Sequence, residues 1–274
     1  MQKREIKVQK NKKFGEEKVR EYWTEQAVKH KRSYAASWSD KMAIELEIKE
    51  IAKRLSDGDN VLDIGCANGY STLNFARQKR ITIKGLDYIP EMIKEANLSL
   101  GSLKSNLAGT AEFGVGDITG LKEQPESYDK VISIRVLINL VDWEHQKKGL
   151  QECARVLKKG GILLLSEATL QGWNNLNKFR TEWNLPNIPM PPFNCYLDQD
   201  KVTEAVSGEL ELVELVNFSS SYFVGTRVLK PLIIQALGAR IDAANPNMEW
   251  NSWFAQLPAF GDYGTQKLFV FRKK

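Results

Sequence analysis

The chain has 274 residues, 42% of them hydrophobic and 27% charged, with a formal net charge of +5. That length buries one substantial core with room for a cap, and no apolar run approaches the roughly 20 residues needed to span a bilayer. Three cysteines (Cys66, Cys153, Cys195) without paired or ligand spacing, and only two histidines, argue against a disulfide framework or a zinc site, so a reduced, cytoplasmic setting without metal is expected.

Residues 1–40 are expected to form a basic N-terminal arm and a lid helix, ahead of a main domain over 41–274. Residues 1–32 hold 11 Lys/Arg against 5 Glu. Such an arm suits either an anionic partner or a solvated terminus. Its first ten residues, MQKREIKVQK, lack the apolar core of a signal peptide. Residues 16–30 read as a helix with Tyr22 and Trp23 near its centre. A firmer helix covers 42–55, where Ile44, Ile48, Ile51 and Leu55 recur on one face.

VLDIGCANG (61–69) reads as a buried strand that ends near an acid and opens onto a small-residue turn. Gly65 and Gly69 permit backbone conformations and close approach that a side chain would block. Strand, glycine turn and helix in that order make a nucleotide or cofactor cradle. Neither the dinucleotide G-x-G-x-x-G nor the P-loop pattern is present. Asp63, two residues before the first glycine, would repel a pyrophosphate but accept hydrogen bonds from an ammonium group.

ITIKGLD (81–87) is a second strand ending in an acid, Asp87, placed 24 residues after Asp63. A carboxylate at that strand end can hold both hydroxyls of a ribose. AEFGVGD (111–117) is a third strand ending in Asp117, and YDKVISIRVLINL (128–140) a fourth running into a loop. RVLKKGGILLLSE (155–167) reads as a helix end, a glycine turn and a fifth strand. This alternation implies a parallel, doubly wound α/β sheet.

Taken together these segments resemble the class I S-adenosylmethionine-dependent methyltransferases of small-molecule type. Their first motif, D/E-x-G-x-G-x-G, is matched by Asp63, Gly65 and Gly69, with Ala67 replacing the middle glycine beside Cys66. The likeness covers roughly residues 42–168. It implies a Rossmann-like, seven-stranded, mostly parallel sheet with an antiparallel last strand, and S-adenosylmethionine as cofactor with S-adenosylhomocysteine as product. It implies that Asp63 receives the methionine ammonium and Asp87 the ribose. Tyr88 and Ile89 would flank the adenine, Asp117 would meet its amino group, and Met92 and Ile118 would complete the wall. Tyr22 could lie against the sulfonium. The loop after the fourth strand faces the methyl in this family, which makes Arg135 and Asn139 catalytic candidates and lets Arg135 also touch the cofactor. Glu167 is either a base or a carboxylate that fixes the loop.

Beyond the fifth strand the pattern lapses. Residues 169–209 are rich in asparagine and include two tryptophans and four prolines, too irregular for a simple connection, so a substrate-covering insertion is expected. ELELVELVNFS (209–219) reads as a sixth strand, 220–264 as a second insertion, and TQKLFVFRK (265–273) as the last strand. Asn174, Arg180 and Asn194 in the first insertion, with Tyr222 and Arg227 in the second, are candidate substrate-binding residues.

The N/D-P-P-Y/F signature of nucleic-acid amine methylation is missing after the fourth strand. PPF at 191–193 lies elsewhere, and no Pro-Cys nucleophile is present there. A nucleic-acid partner is therefore disfavoured, and a small polar acceptor is expected. O-methylation of a sugar, nucleotide-sugar or phosphorylated metabolite leads. An N-methyltransferase, a natural-product tailoring methyltransferase and a non-catalytic cofactor-binding subunit are the alternatives. Oligomeric state is not legible.

Overall fold

The computed structural model describes residues 15–274, so most of the expected basic arm lies outside the described residues. Helix α1 (Glu16–His30) and α2 (Lys41–Ala52) precede the sheet. There follow β1 (Asn60–Ile64), α3 (Tyr70–Gln78), β2 (Thr82–Asp87), α4 (Pro90–Leu103), β3 (Thr110–Val115), β4 (Tyr128–Ile134), α5 (Trp143–Val156) and β5 (Leu157–Ala168). The later part comprises α6 (Leu170–Glu182), α7 (Gln199–Val206), β6 (Leu210–Val216), α8 (Ser220–Val224), α9 (Lys230–Leu237), α10 (Glu249–Phe254) and β7 (Gln266–Lys273).

The seven strands lie in the order β3-β2-β1-β4-β5-β7-β6. All neighbours pair in parallel except β7, which runs antiparallel to both β5 and β6. Strands buried on both faces need apolar residues at successive positions. Leu62, Val131, Leu163 and Phe269 pack with α5 and α7 on one face. Val61, Ile132, Leu164 and Leu268 pack with α2 and α3 on the other.

The first insertion is more regular than its composition implies. Thr169 caps α6 by accepting from the Gly172 N–H, and the buried face of the helix includes Leu176, Asn177 and Arg180. Two of those three are polar, so the apolar period that would announce a helix is hidden. Asp198 caps α7 in the same way. The second insertion holds α8 and α9, joined by a π-helical turn over Gly225–Leu229, and then α10. Among the described residues no helix is long and apolar enough to cross a membrane.

Candidate cofactor and acceptor site

The carboxyl ends of β1, β2, β4 and β5 open into one cavity of about 1000 Å³, covered by α1, the 35–39 segment and the first insertion. A crevice at that edge, where the strand order reverses between β1 and β4, is where open α/β sheets hold ligands.

The cofactor end is built by the β1 turn. Gly65 has φ 75°, and a Cβ there would stand 2.0 Å from a methyl of Val136. Only glycine tolerates both conditions. The turn is tied to β2 through Asp87, whose carboxylate accepts the N–H groups of Ala67 and Ile89, each at 2.9 Å. Burial pushes the Asp87 carboxyl up to about 6 against those two bonds. Asp63 is buried and accepts the Thr72 hydroxyl at 2.5 Å. Burial, with a smaller contribution from Asp87, raises it to about 7. Asp63 lines a recess of about 30 Å³ that shares Gly65, Ala67 and Arg135 with the large cavity.

Neither acid forms an ion pair with a cationic side chain among the described residues. Two buried carboxyls without a cation are costly unless a ligand supplies donors. An ammonium and a ribose diol supply such donors, so these residues fit S-adenosylmethionine.

Tyr22, Tyr88, Ile89, Met92, Asp117 and Ile118 all line the cavity. Asp117 is exposed at its rim, where the carboxylate accepts the N–H and hydroxyl of Thr119. Cys66 lines only the recess, and burial holds its thiol well above its ordinary value. Gly69 lines neither. With φ 77° it starts α3, and a Cβ would meet the Phe113 ring at 2.7 Å, so its part is in packing.

Toward the insertions the site is held by a charge cluster. Arg135 has φ 55°, and its N–H donates to the Ser166 carbonyl at 2.8 Å. Its guanidinium lies 4.9 Å from the Trp38 ring centre, and Nε is 3.4 Å from Oε2 of Glu47. Nε and Nη1 of Arg135 are buried without a hydrogen-bond partner. The other Glu47 oxygen accepts the Ser166 hydroxyl. Burial raises the Glu47 carboxyl, and Arg135 and Ser166 oppose that shift. Asn139 donates to the Arg135 carbonyl at 2.6 Å and accepts from Asn194 at 2.8 Å, joining the β4 loop to the first insertion.

The remaining candidates are placed differently. Glu167 is fully buried, lies outside the cavity and accepts the N–H groups of Val136, Leu137 and Ile138 at 2.8, 2.8 and 3.3 Å. Burial pushes it up to about 8 against those three donors. It holds the β4 loop and does not line the cavity. Asn174 is exposed on α6, and the cavity wall there is Trp173 and Leu176. Arg180 points into the insertion core, donating to the carbonyls of Pro186 and Arg227. Tyr222 is buried away from the cavity and donates to Asp40 at 2.6 Å. Asn194 and Arg227 do line the cavity.

Sequence reasoning missed Trp38, Asp40, Glu47 and Tyr196. Asp40 was readable as the cap of α2, whose Ala43 N–H it accepts, but its ion pair with Arg227 spans 187 residues. His145 behaves as a half-buried cap partner of Asp142 at 2.7 Å, which raises its pKa.

The fold and the paired acids define a class I methyltransferase. Residues 55–206 match the methyltransferase domain family, and the chain belongs to the class I S-adenosylmethionine-dependent methyltransferases. It is 29% identical over 131 residues to an O-methyltransferase of Aspergillus sclerotiorum, covering 47% of this chain and 48% of that protein. It is 25% identical over 193 residues to 27-O-demethylrifamycin SV methyltransferase of Amycolatopsis mediterranei, covering 67% and 61% respectively. These matches span about half to three fifths of the relatives' own length. Magnesium protoporphyrin IX methyltransferase of Synechocystis, solved with bound S-adenosylhomocysteine, superposes with a TM-score of 0.62 at 13% identity, covering 95% of this chain and all of that one. That likeness speaks for the fold.

Proposed function

We propose that this protein transfers the methyl group of S-adenosylmethionine to a hydroxyl on a ring-bearing small molecule. The observation that carries this reading is continuity: a single cavity runs from Asp87 and the β1 turn to an aromatic wall contributed by both insertions. When bound, S-adenosylmethionine supplies a methyl already activated for in-line displacement by its sulfonium. Asp87 takes the ribose hydroxyls, Asp63 takes the ammonium, and α1 with the Phe193 loop keeps water out. Arg135 lines the cavity, and its positive charge would favour the acceptor oxygen as the O–C bond forms, the C–S bond breaks and the hydroxyl proton passes to bulk water at the cavity mouth. The Asn139–Asn194 pair fixes the acceptor beside it.

A sugar acceptor, the leading expectation from composition, loses support because Asn174, Arg180 and Tyr222 lie outside the cavity. What remains is Asn194 and Arg227 among Trp173, Leu176, Ile188 and Phe223, a lining suited to flat apolar rings. The rifamycin-derivative acceptor named for one relative agrees with that choice. Oxygen is favoured over nitrogen because Arg135 and Arg227 repel a protonated amine.

Calorimetry with S-adenosylmethionine and S-adenosylhomocysteine tests the cofactor half, and saturable one-site binding of both is expected. No binding of either at submillimolar concentration overturns the reading. Binding without transfer of a radiolabelled methyl to any ring-bearing hydroxyl compound would favour a non-catalytic subunit.

A further inference from the structure

Behind the cavity wall where the two insertions meet, positive charge exceeds negative. Arg227 and Lys230 share one buried carboxylate, Asp40, and Arg180 lies against Arg227. Arg180 and Lys230 spend their donors on neutral oxygens: Arg180 on the carbonyls of Pro186 and Arg227, Lys230 on the Asn245 carbonyl and the Asn251 side chain. Burial lowers the pKa of both. Asp242 also attracts Lys230, but it is exposed. Buried cations in excess of their counterions are costly, and an anionic ligand relieves that cost.

Of the three, Arg227 is the one that lines the cavity. Its place on the π-helical turn sets the guanidinium over the Phe223 ring, with Cζ 4.0 Å from the centroid. Nη2 donates to Asp40 at 2.7 Å and Nη1 to Thr226 at 2.6 Å, which commits two of the five N–H donors of an arginine. Asp40 stands behind it, fixed by the Tyr222 hydroxyl, and does not line the cavity. Arg135 repeats the arrangement with Glu47 behind. Both counterions come from α2 and its cap and stay outside the cavity, whereas both arginines line it. Among the described residues the carboxylates that do line it are Glu16, Glu17, Asp87 and Asp117, which belong to α1 and the cofactor end.

We propose that the acceptor is an anionic, ring-bearing molecule and that Arg227 receives its carboxylate. A planar fork braced on an aromatic face matches carboxylate geometry, and it fixes the acceptor's far end while its hydroxyl points to Arg135. Arg227 thereby sets specificity for acids over their neutral counterparts. The inference rests on the proposed methyl transfer, since it names the class of molecule that the same cavity takes.

The test is thermal-shift and calorimetric screening of the S-adenosylhomocysteine-loaded protein. The probes are a matched library of ring-bearing hydroxy acids, their methyl esters and the corresponding amines. Acids are expected to bind about tenfold or more tightly than their esters, and amines not at all. Arg227→Gln should erase the acid preference while leaving the S-adenosylhomocysteine shift in place, and Arg227→Lys should keep part of it. Acids that bind no better than esters, a library without a single anionic binder, or an acid preference that survives Arg227→Gln each overturn the proposal. If Arg227→Gln fails to fold because Asp40 is left unpaired, the wild-type acid-against-ester comparison and Arg227→Lys decide it. Loss of the S-adenosylhomocysteine shift in the wild type would instead strike the methyltransferase reading.

Discussion

At the scale of single residues, Asp87 does two jobs with one carboxylate. It ties the β1 turn to β2 through the Ala67 and Ile89 N–H groups, and it faces the cavity where a ribose would lie. Each carboxylate oxygen can accept more than one donor, so the two roles are compatible. Asp87→Ala removes acceptors for both, and S-adenosylhomocysteine affinity is expected to fall by about 1–3 kcal/mol, a factor of 5 to 150. Calorimetry at pH 7.5 reads this directly, and an unchanged dissociation constant would move the ribose contact to another residue. A modest accompanying loss of thermal stability is expected, because two backbone donors at Ala67 and Ile89 lose their partner. Gly65 sits at the same level of detail: its neighbour Val136 closes against it, so the β1 turn and the β4 loop are cut to one another's shape.

At the scale of elements, α1 and the first insertion act as two halves of one cover. Tyr22 stacks on Phe193 with ring centroids 4.5 Å apart, and Trp23 meets the same ring edge-on at 6.2 Å. The Asn68 side chain donates to the carbonyls of Lys31 and Ser33, both at 2.7 Å, and so pins the end of α1 to the β1 turn. Phe193→Ala should loosen the outer edge of the cover alone. Faster hydrogen exchange in α1 and a faster off-rate for S-adenosylhomocysteine are expected, with the melting temperature nearly unchanged because Phe193 is no part of the sheet core. Unaltered exchange would mean that the stack does not close the site. The alternation over 60–168 and the acids at 63 and 87 were legible because each is written in a short, local run of residues, whereas the antiparallel last strand was legible only through the family resemblance. Helix α6 was not, since Asn177 and Arg180 occupy buried positions where periodicity looks for apolar side chains. The acceptor wall was least legible. Trp38, Asp40 and Glu47 meet Arg135 and Arg227 only through tertiary packing, and no local pattern encodes that meeting.

At the scale of the whole molecule, the site leaves its mark on stability. Asp63, Asp87 and Glu167 are held near 7, 6 and 8 by burial, against ordinary values of 3.8, 3.8 and 4.5. A carboxyl whose folded pKa is raised keeps its proton in the native state longer than in the unfolded chain. Its contribution is therefore complete below about pH 4 and is lost as pH climbs through the folded value. Acids lowered by neighbours, such as Asp129 beside Lys158 and Glu152 beside Arg155, act in the opposite sense, and their contribution is lost as pH falls below the ordinary carboxylate range. Lys267, lowered to about 8 by burial, adds stability only as pH rises above that value. The three trends place the optimum of the ligand-free protein on the acid side of neutrality. Calorimetric melting should show a higher transition temperature near pH 5.5 than near pH 8. Asp63→Asn should flatten that slope, since the amide has no proton to lose. Saturation with S-adenosylhomocysteine should flatten it too, because an ammonium beside Asp63 stabilises the ionised carboxylate that burial alone disfavours. A melting temperature that climbs steadily from pH 5.5 to 8 in the ligand-free protein would show that these carboxyls are already ionised without a ligand, and that the β1 turn supplies enough donors by itself.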